Sequence, residues 1–360
     1  VADRSERAPA SPEGRPDFYL NVVRGIEEVA ASELFRLGAR VVATRPSKVF
    51  FDYPGDPRPL LSLRSAMQVY AFIGEHLGCP PDSAAQSWLQ HIARGLDLRP
   101  ALNWHAALHA PVQQPSFRIT AARSGRHKYT SPEIAAWVGS AIQAETSWTV
   151  DLERCHYDIE VELVDARALF GLRLGERWKD RRKKPVYHPT SLNPTVAYAM
   201  ISLLGCGPTE VFLDPACGGG TLLTERAAFG PARLLLGGDI WARALGYAAQ
   251  TLAAANVQAS LLRWDAGHLA IRPASVDRVA ANLPFGYRTG RGPTVRSFYR
   301  RLLPELVRVL RPGGRAALLT SRRRWLSLAI SDSPQLQRDR SLRILLGGKE
   351  AFIFLLSRAV

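Results

Sequence analysis

Apolar and polar residues alternate along Phe18 to Arg24, the two-residue period of a half-buried strand. From Gly25 the period lengthens to that of a helix, with Ile26, Ala30, Leu34 and Leu37 on one stripe and Gly38 at its end. Short strand-like runs follow at Arg40 to Thr44 and Lys48 to Tyr53, before Pro54, Gly55, Pro57 and Pro59 interrupt the chain. From about Ser83 the pattern predicts a helix, a loop, a strand over Ser116 to Ala121, and a second helix opening at Ser131-Pro132-Glu133. In that helix Ser131 is the expected cap and Pro132 takes the first turn. Strands over Ile159 to Val164 and Ala168 to Leu174 complete what reads as two small α+β units.

A basic connector, Lys179-Asp180-Arg181-Arg182-Lys183-Lys184-Pro185, marks a domain boundary, and beyond it the rhythm changes. Strand, loop and helix alternate regularly, with strands expected at Val211 to Asp214, Leu234 to Asp239, Ser260 to Trp264, Val276 to Ala281 and Arg315 to Thr320. Such alternation predicts an α/β fold with a parallel, doubly wound sheet. The final segment, Arg343 to Leu346 and Ala351 to Ser357 around Gly347-Gly348, predicts a terminal antiparallel hairpin.

A chain of 360 residues is too long for one compact core, which agrees with several domains. Its formal charge of +15 favours a polyanionic partner, because Lys and Arg that neutralise phosphates release condensed counterions. No apolar run approaches the roughly 18 residues of a spanning helix, and Val1-Ala2-Asp3-Arg4 does not open a signal peptide, so a cytoplasmic protein with no membrane partner is expected. Cys79, Cys155, Cys206 and Cys217 are too scattered for a zinc or iron–sulfur site, and no metal is expected. The Pro- and charge-rich start up to residue 16 is expected to be disordered, and the chain to be monomeric.

In a doubly wound sheet the ligand sits beyond the carboxyl ends of the strands. There the sequence places Asp214-Pro215-Ala216-Cys217-Gly218-Gly219-Gly220-Thr221. The glycines allow close backbone approach, but the run is not the G-x-G-x-x-G of a diphosphate site, and the Asp214 carboxylate suits a cation. S-adenosylmethionine, with an ammonium and a sulfonium, is such a ligand. Asp239 ends the next strand, where an acid accepts from ribose hydroxyls, and Asp265 follows the third, placed for an adenine amino group. Each acid alone could be a helix cap; three at successive strand ends argue for a site.

The fourth strand ends in Asn282-Leu283-Pro284-Phe285-Gly286. An exocyclic amine on a base is a poor nucleophile because its lone pair is delocalised into the ring. Hydrogen bonds to the Asn282 side-chain oxygen and to a carbonyl near Leu283 or Pro284 would favour a pyramidal nitrogen, while Phe285 stacks on the base. No strong general base is needed. Tyr287, Arg288, Arg291, Arg296, Tyr299, Arg300 and Arg301, then Arg322-Arg323-Arg324-Trp325, gather at the same rim, the composition that holds flipped or single-stranded bases.

Together these motifs resemble the class I methyltransferases that modify exocyclic amines, with signatures D-P-x-C-G-S-G-T and N/D-P-P-Y/F. The N-terminal part, Asn21-Val22-Val23-Arg24-Gly25-Ile26-Glu27-Glu28-Val29 and Phe117-Arg118-Ile119-Thr120-Ala121-Ala122-Arg123-Ser124-Gly125-Arg126-His127-Lys128-Tyr129-Thr130-Ser131-Pro132-Glu133-Ile134, resembles a ferredoxin-like domain followed by a THUMP domain. The combination resembles the THUMP-containing tRNA guanine-N2-methyltransferases of the TrmN type, over nearly the whole chain.

The resemblance implies a disordered start (1–16), a ferredoxin-like domain (17–82), a THUMP domain (83–176), a basic linker (177–190) and a Rossmann-like methyltransferase domain with a terminal hairpin (191–360). It implies N2-methylation of a tRNA guanosine at position 6 of the acceptor stem, with the THUMP part grasping the CCA end. Cofactor contacts then fall on Ser191 and Leu192, in a segment from His188 that closes over the methionine end, and on Asp214, Ala216, Cys217, Gly218, Gly220, Thr221, Asp239, Ile240, Asp265, Ala266 and Asn282. RNA contacts fall on Arg123, Arg126, Lys128, Arg181, Arg182, Lys183, Lys184, Arg288, Arg322 and Arg323.

Two residues depart from the family pattern: Gly219 replaces a serine and Leu283 the first proline after Asn282. Guanine 10 of tRNA or a ribosomal guanine stays open as the target. A non-catalytic RNA-binding protein would be expected to lose the acids or Asn282, and none is lost. DNA and protein amine methyltransferases share the Asn282 motif, but the THUMP-like half argues against them.

Overall fold

The computed structural model describes residues 14–175, 191–285 and 292–360, and it divides into two compact units, 1–21 with 31–178 and 22–30 with 179–360.

The first unit is built on one sheet of eight strands in the order β2-β3-β1-β4-β8-β7-β5-β6. These strands are β1 (Phe18–Val22), β2 (Arg40–Arg45), β3 (Lys48–Asp52), β4 (Ala66–Leu77), β5 (Ser116–Ser124), β6 (Thr149–Val150), β7 (Tyr157–Val164) and β8 (Arg167–Arg173). Helix α1 (Glu27–Arg36) follows β1, α2 (Ala84–Arg94) and α3 (Arg99–Ala106) precede β5, and α4 (Ser131–Thr146) lies between β5 and β6. The single helix expected after Ser83 is thus two. Strands from both expected N-terminal domains share the sheet, joined where β4 pairs antiparallel with β8, Tyr70 opposite Arg173.

Period-2 alternation sorts the faces of β7. Ile159, Val161 and Leu163 are buried on one side, while Asp158 and Glu160 on the other meet Arg173 at 3.2 and 3.3 Å. Asp158 also takes Arg118 Nε–H at 2.9 Å and the Thr120 hydroxyl at 2.7 Å, so this buried charge is paired. Thr130, not Ser131, caps α4. Its hydroxyl accepts from Glu133 N–H while the Glu133 carboxylate accepts from Thr130 N–H at 2.7 Å, a reciprocal capping box.

In the second unit α5 (Pro194–Leu204) precedes an alternating series. The series runs β9 (Val211–Asp214), α6 (Thr221–Phe229), β10 (Leu234–Asp239), α7 (Ala242–Ala254), β11 (Ser260–Arg263), β12 (Val276–Asn282), α8 (Gly292–Val309), β13 (Leu310–Thr320), α9 (Arg323–Ser331), β14 (Leu336–Leu346) and β15 (Lys349–Arg358). Seven strands lie in the order β11-β10-β9-β12-β13-β15-β14. The pairs from β11 through β13 are parallel, and β15 runs antiparallel to both β13 and β14. This is the expected doubly wound sheet with its terminal hairpin.

Helix α5 is buried almost all round, through Val196, Ala197, Ala199, Met200, Ile201 and Leu204, as befits a helix without a solvent face. Asn193 caps it, accepting from Thr195 N–H at 2.9 Å, and Gly205 closes it at φ 63°. On the sheet, Leu213, Val279, Ala281, Leu283, Leu318 and Phe354 join Leu302 and Leu306 of α8 in one apolar cluster. The order of strands reverses between β9 and β12, so their carboxyl ends border the crevice where such sheets bind ligands. No described helix is long and apolar enough to cross a membrane, and no group of three or more described His, Cys, Asp or Glu could hold a metal.

Candidate active site

Strand register sets the depth of each acid. Asp214 of β9 lies beside Gly237 of β10, so Asp239 projects two residues beyond it. On the other side Val279 pairs with Leu213, and Asn282 of β12 likewise extends two residues past the level of Asp214. Asp214 therefore forms a floor between two taller walls, and it is 1% exposed. Its carboxylate accepts from Ala216 N–H at 3.2 Å, and burial, reinforced by the Asp239 charge, pushes its pKa up to about 8. Such a buried acid holds its proton near neutral pH, and a cation arriving beside it would favour the carboxylate form.

The turn after β9 winds back on itself. Gly220 at φ 78° closes a bond from its N–H to Cys217 O at 2.8 Å and starts α6. A Cβ at Gly220 would also press on Ala248 of α7 at 3.3 Å, so backbone angle and space both demand glycine. Cys217 is buried, its N–H on Gly238 O at 2.8 Å, and nothing lies within 4 Å of the direction a Gly218 side chain would take. Thr221 is buried, its hydroxyl 3.3 Å from that of Ser191, which places Ser191 against this turn, and Leu192 beside it is also buried.

Asp239 ties its wall to the glycine turn: one oxygen accepts Gly218 N–H and the other Trp241 N–H, each at 3.0 Å. The cap and the ribose roles are thus compatible, because each carboxylate oxygen keeps a second acceptor site. Beside it Ile240 is 49% and Trp241 70% exposed, apolar surface at the mouth of the crevice. Asp265 is more committed. It accepts Gly267 N–H at 2.9 Å and Arg301 Nη1–H at 2.5 Å, and the backbone donor and then the guanidinium hold its carboxyl below the usual range. Ala266 is buried next to it.

Sequence reasoning missed the role of Trp264. Its indole covers Gly238 so closely that a Cβ there would lie 2.0 Å from Cε2, and Nε1–H donates to Pro215 O at 3.0 Å. The third strand thereby props up the glycine turn of the first. The signal was the Gly237-Gly238 pair, two positions without side chains that leave room for a large one. Gly238→Ala should expel the indole and lower the unfolding free energy by about 1–3 kcal/mol, as urea denaturation will show; unchanged stability would mean the turn does not lean on Trp264.

Asn282 Oδ1 is buried and has no hydrogen-bond partner among the described residues. A buried acceptor in that state costs free energy, and a donor brought by a ligand would relieve it. Leu283 is 1% exposed in the core cluster, and its N–H donates to Leu319 O at 2.9 Å, a bond that the family's proline at this position lacks the hydrogen to make. The Pro284 carbonyl, one of the expected amine acceptors, already takes the Tyr299 hydroxyl at 2.9 Å. Phe285 is half-buried.

Of the expected RNA contacts, Arg123 near the end of β5 and Arg126 and Lys128 between β5 and α4 are exposed, and Arg323 is exposed with its guanidinium over the Phe352 ring. Arg322 turns inward instead, donating from Nε to Phe285 O at 2.8 Å and covering Trp325. Arg181, Arg182, Lys183, Lys184 and Arg288 lie outside the described residues, as do Gly286, Tyr287, Arg291 and the segment His188 to Thr190.

A family model described as an RMKL-like methyltransferase domain matches residues 181–350, and a THUMP domain model matches residues 101–173. The tRNA (guanine(6)-N2)-methyltransferase of Thermus thermophilus is 35% identical over 245 residues, 68% of this chain and 72% of that protein. The tRNA (guanine(6)-N(2))-methyltransferase THUMP3 of Mus musculus is 31% identical over 262 residues, 68% of this chain but only 52% of the mouse protein. The crystal structure of TrmN from Thermus thermophilus superposes with a TM-score of 0.75 at 28% identity, covering 95% of this chain and 99% of that one.

Proposed function

The chain belongs to the THUMP-containing tRNA guanine-N2-methyltransferases, and from that membership we propose that it methylates N2 of a tRNA guanosine, at position 6 of the acceptor stem, using S-adenosylmethionine. The observation that carries this reading is the buried Asn282 Oδ1 at the end of β12, without a partner among the described residues. The Thermus and mouse relatives are both named for guanine 6.

The residues present fit the cofactor. Asp214, buried with its pKa pushed up, suits the ammonium group; Cys217, Gly218 and Gly220 form a turn open to close approach; Asp239 faces the ribose, with Ile240, Asp265 and Ala266 toward the adenine. When bound, S-adenosylmethionine supplies a methyl carbon made electrophilic by a sulfonium. Asn282 Oδ1 accepts a hydrogen bond from the amine and holds its nitrogen in line, and Phe285 stacks on the base. The amine proton becomes acidic as the nitrogen gains positive charge, so no side-chain base is required of the site.

RNA is held through Arg123, Arg126 and Lys128 in the THUMP part, through Arg181 to Lys184, through Arg288, and through Arg323. Residues 17–82 serve as a ferredoxin-like part, 83–176 as a THUMP part that grasps the CCA end, and 191–360 as the catalytic part.

Incubating the purified protein with methyl-labelled S-adenosylmethionine and an unmodified tRNA transcript should give N2-methylguanosine on nucleoside mass spectrometry. Replacing guanine 6 by adenine should abolish the product. Transfer that survives this replacement and disappears on replacing guanine 10 would move the target, and methylation of adenine N6 would overturn the guanine assignment.

A further inference from the structure

Behind the loop that carries Asn282 runs a directed chain of hydrogen bonds that the chemistry above does not use. Arg322 N–H donates to Thr320 Oγ1 at 2.8 Å, and Thr320 Oγ1 lies 2.7 Å from Tyr299 Oη. Tyr299 Oη–H in turn donates to Pro284 O at 2.9 Å. A phenol has one proton, and it is spent on Pro284 O, so Thr320 must donate to Tyr299 and every bond points toward the loop. Arg322 Nε–H closes a second strap onto Phe285 O at 2.8 Å.

Tyr299 and Thr320 are both 0% exposed, and hydrogen bonds aligned in a buried chain polarise and stiffen one another. Burial pushes the Tyr299 hydroxyl up to about 12, so it remains a donor at any working pH. The effect on the loop is selective. Pro284 O and Phe285 O are committed to protein donors, and Leu283 N–H to Leu319 O, while Asn282 Oδ1 is left as a buried acceptor with no partner among the described residues.

We propose that Tyr299, backed by Thr320 and Arg322, is a positioning residue for methyl transfer: by anchoring the Pro284 carbonyl it fixes the loop so that Asn282 Oδ1 meets the incoming amine in line. The proposal rests on the reading of this site as one for an exocyclic amine. Displacements of about 1 Å around a reacting group cost on the order of 10²-fold in rate, so one missing strap has a measurable effect even though Tyr299 touches no substrate.

Tyr299→Phe removes the anchor and keeps the ring in the core. Its single-turnover rate at saturating S-adenosylmethionine and tRNA should fall roughly 10- to 100-fold, with both dissociation constants held within about twofold of wild type. In an Asn282→Ala background the same change should cost nothing further, because both residues act through one contact. Thr320→Val, should Tyr299→Phe fold poorly, should show the same pattern, and Thr320→Ser should restore the rate. A Tyr299 that merely fills the core would lose nothing on this change, and an equal loss in both backgrounds would show that it does not act through Asn282; either result overturns the proposal. A crystal structure of Tyr299→Phe is expected to show the Pro284–Phe285 peptide displaced. If wild type transfers no methyl group to guanine, that failure belongs to the proposed function, and an unmoved loop in this crystal structure would by itself overturn the positioning role.

Discussion

Asn282→Ala should lower single-turnover methyl transfer by about 10²–10³ under saturating cofactor and tRNA, the usual cost of deleting one preorganised polar contact. The expectation follows from the state of the residue in the free protein. Its Oδ1 is buried without a partner among the described residues, a desolvation penalty that no bond from those residues offsets. Removing the amide should therefore leave stability unchanged or slightly raised, while transfer collapses. Activity and stability moving apart in this way would separate a role in the reaction from a role in the fold. Calorimetric titration with S-adenosylmethionine should give near-wild-type affinity, because Asp214, Asp239 and the glycine turn are untouched. Near-wild-type turnover would sink the amine-orienting mechanism, and lost cofactor binding would make Asn282 part of the pocket instead.

The residues that could be read from the sequence are those whose chemistry is fixed by where a strand must end. Asp214, Asp239 and Asn282 each terminate a strand of the doubly wound sheet, and the register brings the three to one crevice. Their supports were not legible, because each reaches the site from far along the chain. Trp264 sits 49 residues from the Pro215 carbonyl it holds, and Arg322 37 residues from Phe285. In the run Arg322-Arg323-Arg324 all three look like phosphate contacts, and only the fold shows the first turned inward.

Strand β4 was missed for a different reason. It lies between β1 and β8 with residues of both faces buried over Val69, Tyr70 and Ala71, so apolar and polar positions do not alternate. Its central place is what joins the two expected N-terminal domains in one sheet. The cap of α4, by contrast, was present in the letters: Thr130 stands three before Glu133, the capping-box spacing, and Ser131 does not.

Asp214→Asn should separate stability from cofactor binding in opposite directions. In the folded protein burial, helped by Asp239, pushes the Asp214 carboxyl up to about 8, against about 3.9 for a free aspartate. The folded state therefore holds a proton that the unfolded chain releases. By linkage its contribution to stability is fully present below pH ~4 and is lost as the pH rises through about 8. Asparagine keeps the Oδ1 that accepts from Ala216 and cannot ionise, so the variant should escape this loss. At pH 8.5 the cofactor-free variant should be more stable than wild type by on the order of a few kcal/mol, falling to little difference near pH 4; urea denaturation at both pH values measures it.

Binding of a cation has the reverse sign, since it requires the carboxylate. Wild-type affinity for S-adenosylmethionine should rise about tenfold per pH unit up to pH ~8, then fall as the ligand's own α-amino group, with a pKa of ~7.7–8.0, loses its proton. Near pH 7 binding should release close to one proton, detectable by calorimetry in buffers of different ionisation enthalpy. The asparagine variant should show neither the rise nor the proton release, with affinity roughly 100-fold below wild type at pH 8, the cost of losing a charge-assisted contact. Affinity that is flat between pH 6 and 8 in wild type would show that Asp214 does not face the ammonium group, whatever its effect on stability.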